Sequence, residues 1–158
     1  MNLSFKFALI EVLEGPSAEF SLGHLVVRGS AGTADSTERG PSGAMVVSLS
    51  VVDLLYSAQL LIANHRRLAR GVEDRYEFIG ADSSFQLVLT QARGQVAVHH
   101  GRVEIASLPL AEFASVCERD LCGFEESLLA TGAMGTAAGD LRAAVADFRR
   151  VVAETQVS

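Results

Sequence analysis

Four histidines and two cysteines are the side chains of this sequence best suited to chemistry, and their spacing limits what they can do. His99 and His100 are adjacent. Neighbours on a strand point to opposite faces, so these two cannot share one metal ion. His99 reads as an exposed cross-strand partner of Glu104, and His100 as a histidine closing the end of a core face. His24 reaches either of them only if two separate sheet segments lie side by side. Cys117 and Cys122 stand five apart in an apparent helix. Five α-helical residues turn about 500°, which leaves the thiols roughly 140° apart and unable to bridge. Neither has a histidine in its local sequence to activate it as a nucleophile.

Other signatures fall away in the same manner. No G-x-S-x-G elbow occurs. The glycine-rich run Gly132–Gly139 follows a helix and lacks the Lys-Ser/Thr of a phosphate-binding loop. The basic run 64–71, Asn-His-Arg-Arg-Leu-Ala-Arg-Gly, sits where a helix should stop. Cations at the negative end of the dipole and a terminal glycine account for both its charge and its place. Glu125 and Glu126 fall on a polar helix face. The expectation is a chain with no catalytic residue, no metal ligand set and no cofactor.

The elements that carry these residues can be read from periodicity. Leu3–Leu13 alternates with period two, with Leu3, Phe5, Phe7 and Leu9 on one face, and predicts a strand. Turn residues Glu14-Gly15-Pro16-Ser17 send a second strand, Ala18–Arg28, back antiparallel. Phe20 and Leu22 are out of phase with Leu25 and Val27, so a bulge is expected at Gly23-His24. Residues 29–43 hold no large apolar side chain and read as a polar loop. Ala44–Leu49 supplies a third strand. Ser50-Val51-Val52-Asp53 fits a capping box opening a helix that is apolar on nearly every side, spanning 50–71. Such a helix must be covered by sheet, by another helix or by a partner.

Four short strands follow, Arg75–Ile79, Ser84–Ala92, Gln95–His100 and Arg102–Ala106. Arg93-Gly94 suits a two-residue hairpin, pairing Leu89 with Val98, and a Gly101-Arg102 turn pairs His99 with Glu104 and His100 with Val103. A loop at Gly80–Ser83 pairs Phe78 with Phe85 and Tyr76 with Leu87. Tyr76, Phe78, Phe85, Leu87, Leu89, Val96, Val98, His100, Val103 and Ile105 then share one face. The opposite face collects Glu77, Gln86, Val88, Thr90, Ala97, His99 and Glu104. One-sided patterning of this kind belongs to an antiparallel sheet packed on helices. A helix from Ser107-Leu108-Pro109 carries the stripe Leu110, Phe113, Ala114, Cys117, Leu121, Phe124 and Leu128, with Glu112, Glu118, Glu125 and Glu126 opposite. After a small-residue linker, 132–139, Asp140 caps a last helix whose apolar face is Leu141, Ala144, Val145, Phe148 and Val152.

The fold class is thus α+β: an antiparallel sheet from two meanders, three strands and then four, packed on a central apolar helix and two C-terminal helices. At 158 residues the chain makes one domain with a core of useful size. One Lys beside twelve Arg, and no Trp, suggests a GC-rich bacterial genome. A net charge of −6 argues against nucleic acid or an anionic membrane as the main partner, and permits a basic protein as one. The start of the sequence has no signal-peptide pattern, and no run approaches the ~18 apolar residues of a membrane span, which makes the cytoplasm the expected location.

Val46–Leu55, entering the apolar helix, and Tyr76–Leu87 with the hairpin to His99 resemble the small α+β immunity proteins of bacterial polymorphic toxin systems, in particular the WapI-like group of soil bacteria. The resemblance covers about residues 1–130 in pattern and carries no catalytic motif. It implies a cytoplasmic protein that binds and neutralises a toxin domain. On this reading the binding residues are Glu77, Gln86, Thr90, His99 and Glu104, with the acidic side of the second helix adjoining. Two other readings stand beside it. One is a small-molecule binder or enzyme with a pocket between helix and sheet, lined by His24, Tyr56, Tyr76 and His100. The other is a homo-oligomer, in the simplest case a homodimer, that buries surplus apolar surface on the 51–63 helix.

Overall fold

The computed structural model describes residues 3–65, 72–132 and 134–155. It is an α+β fold with two four-stranded antiparallel sheets. The first contains β1 (Leu3–Glu11), β2 (Leu22–Gly29), β3 (Thr33–Asp35) and β4 (Met45–Val46). Its order is β1-β2-β3, with β4 also paired to β2. The second is the meander β5 (Asp74–Ile79), β6 (Gln86–Ala92), β7 (Gln95–His100) and β8 (Val103–Pro109), in chain order. Helix α1 (Val47–Asn64) lies in the core between them, followed at the C-terminal end by α2 (Leu110–Cys117), α3 (Phe124–Ala130) and α4 (Ala138–Thr155).

Alternation placed the N-terminal core face correctly. Leu3, Phe5 and Phe7 are buried together with Leu25 and Val27 of β2. The extra residue, however, lies in β1 between Leu9 and Glu11, and His24 is a regular ladder residue opposite Ala8. No bulge is needed in β2, because residues 15–20 coil into a 3-10 turn instead of extending the strand. Pro16, the second residue of that turn, fixes its own φ there, and Phe20 is left half exposed. The polar stretch 29–43 is also more structured than its composition predicts. It holds β3 and a 3-10 segment, Ser36–Gly43, capped by the Asp35 side chain on the Thr37 amide.

The apolar helix begins at Val47, three residues before the expected cap. Ser50 therefore lies inside it. Its buried hydroxyl donates to the Val46 carbonyl at 2.8 Å and accepts the Ala81 amide at 3.0 Å, tying the helix to the β5–β6 turn. At 18 residues with mean hydropathy 1.4, α1 is long and apolar enough to cross a bilayer, which corrects the expectation that no segment is. More than half of it is buried in the fold, against α4 and the inner face of the second sheet. The expected end of the helix at 66–71 lies outside the described residues.

In the second sheet the hairpin at Arg93-Gly94 forms as expected, both residues with positive φ, and pairs Leu89 with Val98. The first register is different. Phe78 pairs with Leu87 and Tyr76 with Leu89, because the 80–85 turn is longer and Phe85 belongs to it. A slip of two residues keeps every side chain on its own face, so the inner face survives the correction. Phe78, Phe85, Leu87, Leu89, Val96 and Val98 are fully buried. Val103 is not; a bulge opposite Val98/His99 puts Ile105 and Ala106 in the core and leaves Val103 exposed. At that bulge the two sheets meet, with the Ala31 amide donating to the Ile105 carbonyl at 3.0 Å.

Strand β8 continues through Ser107–Pro109, so α2 opens at Leu110 instead of at the serine. Between α2 and α3 the chain makes a π turn, Glu118–Cys122, with the Gly123 amide on the Glu118 carbonyl. The wider turn alters the cysteine geometry: Cys117 and Cys122 are both buried, where a regular α-helix would turn one away. The small-residue linker likewise tightens into a 3-10 turn with Met134 buried, and α4 starts at Ala138, before Asp140.

Candidate functional site

Two-residue periodicity and the three pairings of the second sheet generate its outer face. One cross-strand row is Glu77, Val88, His99 and Glu104. The next is Arg75, Thr90, Ala97 and Ser107. Ile79 and Gln86 pair beyond the first row. All five residues expected to bind, Glu77, Gln86, Thr90, His99 and Glu104, thus lie on one surface. None of these side chains is buried: the edge positions are exposed, and Val88, Thr90, Ala97 and His99 of the central strands are half-buried by their neighbours alone. Arg75 pairs with Glu77 at 3.4 Å, both in solvent. Ile79 adds an apolar spot, about half exposed. The surface is of mixed polarity. It offers hydrogen-bond donors, acceptors and charge across all four strands.

The four residues of the alternative pocket sit apart. His24 is on the outer face of the first sheet, its Nδ1 2.7 Å from Ser36 Oγ. That hydroxyl is buried and also accepts the Leu25 amide at 3.0 Å, so the Ser36–His24 pair staples β2 to the turn after β3. A Ser–His contact of this length invites a nucleophile reading, but the buried serine holds backbone. Tyr56 lies on the exposed side of α1. Tyr76 is on the inner sheet face, its hydroxyl accepting from Asn64 Nδ2 at 2.8 Å. Burial, with the Asp74 carboxylate nearby, holds its pKa above the usual phenol value. His100 stacks on Phe85 with centroids 5.0 Å apart and bonds the Gln86 carbonyl through Nδ1 at 2.8 Å. Between α1 and the sheet the space these residues would line is filled by fully buried Leu54, Leu55, Ala58, Leu61 and Ile62 against the sheet's aromatic and branched side chains.

Two polar features escaped the sequence reading. Gln91 is buried on the inner face, Nε2 2.7 Å from His65 Nδ1, with its Oε1 unpartnered. Its parity with Leu87 and Leu89 was the available signal. The second is a clasp on the free edge of β1. Asp120 Oδ2 accepts the Phe5 amide at 2.8 Å, and Arg119 Nη2 donates to the Leu3 carbonyl at 3.1 Å. Together the two side chains occupy two of the backbone groups that a further strand would take, which blocks that end of the edge from pairing with another chain. Arg119 also donates to the Asp120 carboxylate, through Nε at 2.6 Å and Nη2 at 2.8 Å, and this hydrogen bonding and charge raise the Arg119 pKa further. Only the π turn presents both side chains to β1, and nothing in the local sequence announces that turn.

The thiols are poorly suited to nucleophilic chemistry. Burial pushes Cys117 well above its ordinary range and Cys122 up to about 12, the latter helped by Glu118. Glu118 is itself engaged by Arg149 at 2.8 Å. Beside that ion pair a shallow groove of 520 Å³ runs between α2 and α4, floored by Ala114, Phe148 and Val152. Among the described residues no group of three His, Cys, Asp or Glu side chains is placed to hold a metal ion. Comparison with family models, with curated proteins and with solved structures finds no match, so the outer sheet face rests on its own geometry.

Proposed function

We propose that this chain is a non-enzymatic, cytoplasmic protein-binding module that captures and neutralises a basic toxin domain, as an immunity protein does. The observation that carries the reading is the outer face of the second sheet, where Glu77, Gln86, Thr90, His99 and Glu104 converge on a surface with no buried member. An exposed surface of mixed polarity spread over four strands suits a macromolecular partner. The net charge of −6 speeds encounter with a basic one and weakens with added salt. The likeness of Val46–Leu55 and Tyr76–Leu87 to immunity proteins supplies the partner class.

Co-expression tests it. The chain, produced with the protein encoded beside it, rescues growth of a host that the neighbour alone kills, and the two co-purify. Absence of rescue together with absence of a complex refutes the proposal.

A further inference from the structure

The exposed side of α1 is apolar and twofold in pattern. Leu49, Tyr56 and Leu60 are 42%, 39% and 43% exposed, and with Asp53 they form one stripe at spacings of four, three and four. Leu49 and Leu60 lie equally far from the point midway between Leu54 and Leu55, and so do Asp53 and Tyr56. Two such helices packed antiparallel about that point set Leu49 against Leu60 of the second copy and Asp53 against its Tyr56. Asp53 is the only carboxylate of the stripe and the Tyr56 hydroxyl the only O–H donor, so the juxtaposition supplies two symmetric hydrogen bonds. Apolar neighbours already desolvate Asp53 within one chain and raise its pKa, which reduces the further cost of covering it.

We infer that this stripe is the seat of a second copy of the chain, in a twofold dimer with antiparallel α1 helices. Self-complementarity of one patch is what an isologous interface requires, and a different partner would have no reason to match the symmetry. Phe20, 50% exposed, extends the surface at one end, because Ser48 Oγ donates to the Glu19 carbonyl and holds the 15–20 turn beside the first turn of α1. The patch is small, five side chains in each copy, so the dimer is a weak one. Helix α1 packs on the inner face of the second sheet, and the dimer therefore leaves both outer faces open.

Sedimentation velocity over a wide concentration range tests this on the isolated chain, independently of any toxin. The chain passes from monomer to dimer, while Leu60→Glu remains monomeric with an unchanged circular dichroism spectrum and melting temperature. Single variants Leu49→Cys and Leu60→Cys, mixed under a mild thiol oxidant, cross-link with each other and neither with itself. A chain that stays monomeric throughout, as it would if a different protein covers the stripe, overturns the inference. So does a dimer indifferent to Leu60→Glu, or one that cross-links Leu49→Cys to itself.

Discussion

Ser50 and Ser57 offer a controlled measure of what ties α1 to the second sheet. Both are buried on the same helix, and both hydroxyls donate back to the carbonyl four residues earlier, Val46 and Asp53 respectively. Only Ser50 also accepts an amide from elsewhere, that of Ala81 in the turn after β5. In Ser57→Ala the Asp53 carbonyl keeps its helical partner, and alanine's better helix propensity returns about 0.5 kcal/mol, so stability changes little or rises slightly. In Ser50→Ala the same gain of about 0.5 kcal/mol is set against an Ala81 N–H left without its acceptor, a loss of about 1–3 kcal/mol. The net loss of about 0.5–2.5 kcal/mol corresponds, at about 2–4 °C per kcal/mol for a chain of this size, to a melting point lower by about 5 °C. Urea denaturation and thermal melts of the two variants against the parent give the comparison. Equal stabilities would refute the claim that Ser50 anchors the helix to the β5–β6 turn.

Other perturbations test other joints. Asp120→Ala strips the β1 edge of its acceptor and should cost about 1.5–3 kcal/mol with new concentration-dependent aggregation, whereas Asp120→Asn keeps an acceptor for Phe5 and loses less; denaturation and light scattering read both. Gly29→Ala drives a methyl into the Ile105 carbonyl where the sheets meet, and a loss of about 1–3 kcal/mol or more is expected in thermal melts. Neither cysteine should react with a thiol reagent in the native protein at pH 8, and both should on unfolding. Because folding raises both thiol pKa values, their contribution is complete below pH 9 and is lost as pH rises through the folded value of about 12 for Cys122; stability followed between pH 8 and 11 should fall.

The second sheet was the most legible part of the sequence, and the reason is physical. Alternation tells faces apart, and faces tolerate a two-residue slip, so the wrong pairing of Phe78 with Phe85 did no harm to the site. What the sequence concealed was structure set by the third dimension. The π turn that exposes Arg119 and Asp120 to β1 differs from an α-helix by one residue per turn and leaves the apolar stripe intact. The helix start at Val47 depends on Val46 pairing with β2, a contact no local pattern encodes. The 29–43 stretch looked unstructured because it lacks apolar residues; a short ladder to β2, from Thr33 to Asp35, and the Asp35 cap order it instead.

The central claim is that the outer face of the second sheet binds a protein. Its most direct test is the affinity of the protein encoded beside this chain for Glu77→Lys/Glu104→Lys, measured calorimetrically against the parent. Both positions are exposed, so the variant should melt at the parent's temperature. Binding weakened at least about tenfold, equivalent to about 1.4 kcal/mol, is the expected result. Parental affinity in a correctly folded variant would contradict the assignment of this face.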